Sequence, residues 1–345
     1  GWSWSYHNLN GWQGWNLDSA DGVYTNLDKI PKDPNTLRAQ VMRRHFARAK
    51  LKMKDETDSS LSVFLSDIHV AKAGLKTKWG AQPDYQNPLF EKAIDEILAM
   101  RPRPARVIVF GDLALWFGWQ QDYEQSLPGF NRLKAAGIDV FVTTGNHDHR
   151  ETLFKAHPRQ AEITPVPGRF VSVIDLGFAD LYLLDTLQEN EEGEGSGNAV
   201  SGALDAAQAD WLVKTAAQAK RPYFIGAHHP PKEIKIGGKD IRTVFETDPH
   251  FVGYIHGHDH RWYKQWHHNG YTSPHVVRSV CLPSTGWWGD IGFAVMRTFA
   301  DRAELQLIEN DFFFPKPLGA GEKRPREWDE ILSENRAAAR LIFPF

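Results

Sequence analysis

The chain has 345 residues, a formal net charge of −3 and a single cysteine, Cys281. A balance so near neutral gives no general pull toward nucleic acid or an anionic membrane, so any attraction for an anion must be local. The length allows one large core with extensions, one cysteine excludes an internal disulfide framework, and no apolar run reaches the ~20 residues that span a bilayer.

In chain order, the first stretch carries Trp2, Trp4, Tyr6, Trp12, Trp15 and Tyr24 among Gly, Asn and Ser. It is too aromatic for a disordered tail and is expected to pack on the main domain. Pro31 to Pro34 mark the passage into a helix near Leu37 to Lys50, and the basic residues from Arg38 to Lys54 read as its solvated face. The chain opens Gly1-Trp2 rather than with Met; loss of an export signal is the preferred reading, giving a periplasmic or secreted protein, with a trimmed cytoplasmic one as the alternative. Residues 1–60 are thus expected to be an extension, 61–310 the main domain and 311–345 a second, Pro-rich extension.

Five runs of strand length follow: Leu61 to Ser66, Arg106 to Phe110, Ile138 to Thr143, Tyr223 to Ala227 and Phe251 to Ile255. They are β-branched or aromatic and nearly continuous in apolar character, which predicts strands buried on both faces. Leu89 to Met100 and Tyr123 to Ala136 repeat apolar residues at helical spacing. Strands alternating with helices predict a mostly parallel sheet whose ligands bind at the carboxyl ends of the strands. Each strand ends in a polar phrase: Asp67-Ile-His69, Gly111-Asp112, Gly145-Asn146-His147-Asp148, His228-His229-Pro230-Pro231 and Gly257-His258-Asp259-His260. Asp, Asn and His are the side chains that hold hard and borderline divalent cations.

Residues two apart in an extended chain point the same way, so Asp67 and His69 are expected to face one ion together, as are His258 and His260. His256 shares their side if the strand continues that far. Adjacent His228 and His229 are expected to point apart, so that at most one is a ligand, with His229 and His256 beside the site. Gly111, Gly145 and Gly257 permit tight turns and close backbone approach.

This ordered set, from about Ser62 to Met296, resembles the calcineurin-like metallophosphoesterases, which carry D-x-H, GD, GNH, H and GHxH in this order. The resemblance implies an αββα sandwich of two mixed sheets flanked by helices. It implies that Asp67, His69, Asp112 and His260 hold one metal, that Asp112, Asn146, His228 and His258 hold a second, and that His147 is the catalytic histidine beside the leaving group. Two divalent or mixed-valence transition metal ions (Fe, Mn, Zn or Co) suit such N and O donors. Two ions about 3.5–4 Å apart clamp the oxygens of an in-line displacement and acidify a bridging water into a hydroxide nucleophile. With only two carboxylates among the ligands the site keeps a formal charge of about +1, which favours an anionic phosphate.

The expected function is therefore metal-dependent hydrolysis of a small phosphate ester, with no nucleic-acid polymer as substrate; the alternative is an inactive protein that holds a phosphorylated ligand on the same scaffold. Gly145 to Phe154, Leu184-Asp185-Thr186, Gly202-x-Leu204, Gln208-x-x-Trp211 and His228-His-Pro-Pro look like the class III cyclic-nucleotide phosphodiesterase branch, which favours a diester over a monoester. Leu115 stands where relatives often have an acidic residue and purple acid phosphatases a Tyr ligand, so a purple iron centre is not expected. Asp148 is expected to orient a ring.

Remaining expectations are local. Gln188 to Ser201, rich in Glu and Gly, reads as a surface loop rather than a calcium site. A single His such as His157 is assigned no role. Of the aromatic clusters Trp116-Phe117-x-Trp119, Trp262-Tyr263 and Trp287-Trp288, most fill the core and one or two wall the substrate cleft.

Overall fold

The computed structural model describes residues 58–75, 83–268, 276–286, 289–313 and 340–345. The expectations for the Trp-rich stretch, the basic helix, and Trp287 and Trp288 lie outside the described residues. Everything below belongs to the unit Ser59–Phe345.

Strands β1 (Ser60–Leu65), β2 (Arg106–Phe110) and β3 (Asp139–Thr143) alternate with helices α1 (Pro83–Ala99) and α2 (Gln120–Ala135), which α3 (Arg150–Ala156) and α4 (Pro158–Ile163) follow. Next come β4 (Ser172–Asp175), β5 (Asp180–Leu183), α5 (Ala206–Ala216), β6 (Tyr223–Gly226), a two-strand ribbon of β7 (Lys235–Ile236) and β8 (Lys239–Asp240), α6 (Ile241–Phe245) and β9 (Phe251–His256). The chain closes with β10 (Tyr263–His268), β11 (Val276–Cys281), β12 (Gly289–Phe299), β13 (Arg302–Phe313) and β14 (Arg340–Pro344). Helix α5 starts at its N-cap Asp205, whose side chain accepts from the Gln208 amide and so satisfies a donor the first helical turn leaves unpaired.

Two six-stranded sheets result, in the orders β14-β13-β12-β1-β2-β3 and β10-β11-β9-β6-β5-β4. Both are mixed. The pairs β1/β2, β2/β3, β5/β6, β6/β9 and β9/β11 are parallel, and the other pairs of the two sheets are antiparallel.

Alternation along single strands shows the layering. Phe64, Ile108, Phe110, Leu181, Leu183, Phe224 and Ile255 meet in one core between the sheets, with Met296, Leu305 and Phe343. Their neighbours Val63, Leu65, Val107 and Val109 pack outward on Phe90 and Ile94 of α1 and Phe130 and Leu133 of α2. On the far side Tyr182, Ile225 and Tyr254 pack on Leu212 of α5 and Phe245 of α6. The order is helix, sheet, sheet, helix, the αββα sandwich. Strands covered on both faces need apolar residues at every position, which is why their sequences run continuously hydrophobic. The carboxyl ends of β1, β2, β3, β6 and β9 carry the five polar phrases.

Candidate metal centre

Beyond its strand each phrase leaves extended geometry. Asp67, His69, Asp112, His258 and His260 all have left-handed φ, between 46 and 71°. Asp67 and His69 do meet in one donor group, but through left-handed turns rather than by the alternation of an extended chain, whereas His258 and His260 part company, His260 joining Asp67 and His69 and His258 joining His228 and His229. These turns are tied together by main-chain bonds: Asp67 N–H donates to Gly111 O at 3.1 Å, His69 N–H to Asp112 O at 3.0 Å and Gly257 N–H to His228 O at 3.0 Å. The packing admits no side chain at two glycines. A Cβ at Gly145 would stand 2.2 Å from Asp112 Oδ1, and one at Gly257 would stand 1.8 Å from Ser66 Oγ.

Asp67, His69, Asp112 and His260 bring their donor atoms within 4.8 Å of one another, all buried. Asp67 Oδ2 accepts from Ser66 Oγ (2.5 Å) and from the His258 amide (3.1 Å). Its Oδ1 has no hydrogen-bond donor and faces His260 Nε2 at 3.1 Å and His69 Nε2 at 3.9 Å. The ring nitrogens His69 Nε2 and His260 Nε2 face each other at 3.2 Å. Burial, with His260 and His147 adding to it, lowers the His69 pKa to about 3 against the pull of Asp112, so this imidazole is neutral. Its Nδ1 lies 3.4 Å from Leu115 O, and since a carbonyl can only accept, the proton sits there and Nε2 presents a lone pair inward.

A second group adjoins the first. Asn146 Oδ1 lies 2.9 Å from His258 Nδ1 and 3.2 Å from His228 Nε2, and His228 Nδ1 bonds Phe110 O at 2.8 Å. Burial disfavours charge on His228, but the Asp112 carboxylate and its hydrogen bond outweigh it and raise the pKa to about 10. A pocket that holds a proton so firmly has the field to hold a metal cation there. Asp112 joins the two groups through one atom. Its Oδ1 accepts from the His147 amide at 2.8 Å, whereas Oδ2 stands 3.7 Å from His69 Nε2 and 3.2 Å from His228 Nε2. A buried carboxylate oxygen that faces the ring nitrogens of His69 and His260 makes with them a cluster of N and O donors of the kind a cation satisfies, so the donor set fits divalent metal ions.

His229 departs from expectation. It does not point away from His228, because β6 ends at Gly226 and strand alternation ends with it. The ring centroids are 4.9 Å apart, and His228, His229 and His258 bring ring nitrogens within 4.8 Å of one another. His229 Nδ1 meets Thr186 Oγ1 at 2.8 Å, and its buried Nε2 has no hydrogen-bond partner. His256, the last residue of β9, lies apart from both groups.

His147 stands at the rim with its side chain 20% exposed. Its Nδ1 bonds Trp116 O at 3.1 Å, its Nε2 lies 3.9 Å from Asp112 Oδ2, and the Trp116 ring meets it edge-on at 5.4 Å between centroids. The ring that Asp148 holds is the phenol of Tyr123. The Asp148 carboxylate gathers the amides of Leu113, Ala114 and Gly145 and the Tyr123 hydroxyl at 2.8–3.1 Å, fixing the Asp112 turn against the Asn146 turn. Burial first, then the Asp112 charge, raises its pKa to about 7. Leu115 packs with Ala71 in a small apolar cluster, and Trp262 belongs to the core between the sheets.

Sequence reasoning overlooked Asn198. The loop Gln188 to Ser201 lies along the site rather than away from it, and Asn198 Nδ2 donates to Asn146 O at 3.0 Å and Asp148 O at 2.8 Å. An Asn in a Gly-rich loop gives no sequence signal for such a clamp.

No curated protein matches the chain significantly in sequence. Among solved structures, a dimetal phosphatase from Danio rerio superposes with a TM-score of 0.56 at 16% identity, over 72% of this chain and 95% of that one. A purple acid phosphatase from yellow lupin (Lupinus luteus) seeds gives 0.53 at 14% identity, over 82% of this chain, and PhoD gives 0.50 at 10%, over 72%. The chain spans about half of the lupin enzyme, 53%, and 65% of PhoD. At these identities the likeness shows the fold. The calcineurin-like phosphoesterase family model matches residues 62–262, the span that holds every polar phrase and both donor groups, and the chain belongs to that family.

Proposed function

We propose that the protein hydrolyses a phosphate ester at a dinuclear metal centre. Asp67, His69, Asp112 and His260 would hold one ion, and Asp112, Asn146, His228 and His258 the other, each Fe, Mn, Zn or Co. The carrying observation is Asp112 Oδ2, one atom that faces a ring nitrogen of each group, His69 Nε2 and His228 Nε2. When bound, the ions supply Lewis acidity to phosphoryl oxygens and lower the pKa of water. The protein holds the donors still: Ser66 and the His258 amide fix Asp67, the His147 amide fixes Asp112, and the Phe110 carbonyl fixes His228. Two carboxylates against two divalent charges leave the pocket positive, which selects an anionic substrate.

His147 acts as the proton donor to the departing oxygen. With Nδ1–H committed to the Trp116 carbonyl, Nε2 is the nitrogen that exchanges a proton with substrate. Trp116, edge-on to His147, walls the cleft on the leaving-group side.

Diesters are proposed as better substrates than monoesters. What supports this is the residue set that resembles the class III branch, because its members join in one network beneath the site. Arg150 grips Asp185 with two bonds (2.8 and 2.9 Å), and Gln208 brackets the Asp185 main chain, accepting from its amide (3.1 Å) and donating to its carbonyl (2.8 Å). Thr186 reaches His229, against which Gly202 packs so closely that a Cβ would lie 2.4 Å from the ring. The test is a panel of cyclic nucleotides, phospholipid head-group diesters, nucleotides and simple monoesters with each metal supplied. The expected result is a kcat/KM for the best diester at least ~10-fold above that for the best monoester, about 1.4 kcal/mol of differential transition-state binding. A preference for monoesters would overturn the diester assignment and leave the hydrolytic one standing.

A further inference from the structure

We propose that His256, Asp259 and Cys281 form a third metal site, suited to a zinc-type divalent ion, on the opposite side of the loop that presents His258 and His260. Their donor atoms lie within 4.8 Å of one another. The placement follows from strand register: His256 of β9 is the direct partner of Cys281 of β11, which is in turn the partner of Tyr263 of β10. Directly paired residues share a face, so imidazole, thiol and phenol form one row across three strands. Asp259 enters from the loop after β9. Its carboxylate is held by a short hydrogen bond from the Tyr263 hydroxyl.

The second observation is His256 itself. The residue is 1% exposed, and its Nδ1 bonds Gly257 O at 2.9 Å, which places the proton on Nδ1 and leaves Nε2 with a lone pair. That buried Nε2 has no hydrogen-bond partner. A buried imidazole with one nitrogen anchored on a carbonyl and the other without a hydrogen-bond partner, in a cluster with a thiol and a carboxylate, has the makings of a metal ligand. Cys281 is fully buried, with Sγ 3.3 Å from the same Gly257 carbonyl. Binding a divalent ion would release one proton from the Cys281 thiol. The thiolate and the Asp259 carboxylate then balance the two positive charges, and the neutral His256 completes the set. Asp259 and Tyr263 are partly exposed, so they offer an entry path and room for a water as fourth ligand. The ion would brace β9 and β11 under the turn that carries His258 and His260, a structural role separate from hydrolysis.

The single cysteine makes the test unambiguous. Saturating the full chain with Co²⁺ should give a sulfur-to-cobalt charge-transfer band in the near ultraviolet that only Cys281 can supply, since none of the hydrolytic donors is sulfur. Added Zn²⁺ should quench it, and His256→Gln and Asp259→Asn should each abolish it with loss of one metal equivalent. No such band in the wild type, while visible ligand-field bands report cobalt on the other His and Asp donors, would overturn the proposal; so would a full-strength band in His256→Gln. The wild-type spectrum decides even if a variant fails to fold, and it is independent of whether any phosphate ester is hydrolysed.

Discussion

Asp67, His69, Asp112, His258 and His260 each hold a left-handed backbone that costs a non-glycine residue about 1–3 kcal/mol, and the surrounding ladder bonds keep them there. His147 is different in kind, because its ring reaches the rim without joining either donor group. His147→Ala should therefore keep the full metal content while lowering turnover by ~10²–10⁴, the usual contribution of general acid catalysis. The loss should shrink for nitrophenolate esters, which leave without protonation. Metal loss in this variant, or equal impairment across leaving groups, would rule out the acid role. At this scale the identity of the candidate ligands was legible in the sequence, because few side chains hold divalent cations and all stand just past an apolar run. Extended-chain alternation paired Asp67 with His69 correctly, although their turns are left-handed, but it also paired His258 with His260, which fall in separate donor groups. The same reasoning misplaced His229, which lies beyond the end of β6 where the period-two rule has no force.

Among the elements, α3 and α4 meet at His157, which was given no role in the sequence yet is buried against the Phe130 ring of α2, with centroids 5.4 Å apart. Burial, with Lys134 adding, lowers its pKa to about 3, and its Nε2 has no hydrogen-bond partner. The unfolded chain regains an ordinary imidazole of pKa ~6.5, so the unfolded state binds more protons between the two values. The folded state keeps the full contribution above about pH 6.5 and loses it as pH falls toward 3. His157→Leu should remove this dependence: between pH 7 and about pH 5 the wild type should lose ~2 kcal/mol relative to the variant. Denaturant unfolding of both proteins at the two pH values measures it, and an unchanged difference would show that His157 takes up its proton in the folded protein as readily as in the unfolded chain.

The strands β1, β2, β6 and β9 were readable because burial on both faces writes an unbroken apolar run; β3, expected to be buried in the same way, is an edge strand whose first three residues are exposed or half-buried. The antiparallel strands β4, β10 and β12 were not, since their pairing partners are set by tertiary register rather than by local pattern. The two-sheet arrangement likewise came from the family resemblance; what displays it is the division of adjacent residues, such as Phe64 inward and Val63 outward, between separate cores.

For the whole molecule, the sandwich brings the ends of three strands from one sheet and two from the other to a common edge, so that Asp112 of the first sheet meets His228 of the second at 3.2 Å. No helix among the described residues is long and apolar enough to cross a membrane. The central claim is that one carboxylate serves two ions in a hydrolytic centre, and it is tested most directly by stripping the protein with a chelator, reloading it with Mn²⁺, and measuring bound metal and hydrolysis of a chromogenic phosphodiester together. Wild type should recover turnover. Asp112→Asn should fall short by two ions and His260→Ala by one, with affinity losses beyond the ~10–100-fold that removal of an outer partner costs. Loss of a single ion in both variants would contradict the shared carboxylate. A fully loaded wild type that hydrolyses neither diester nor monoester would contradict the hydrolytic function and leave a protein that holds phosphorylated ligands without cleaving them.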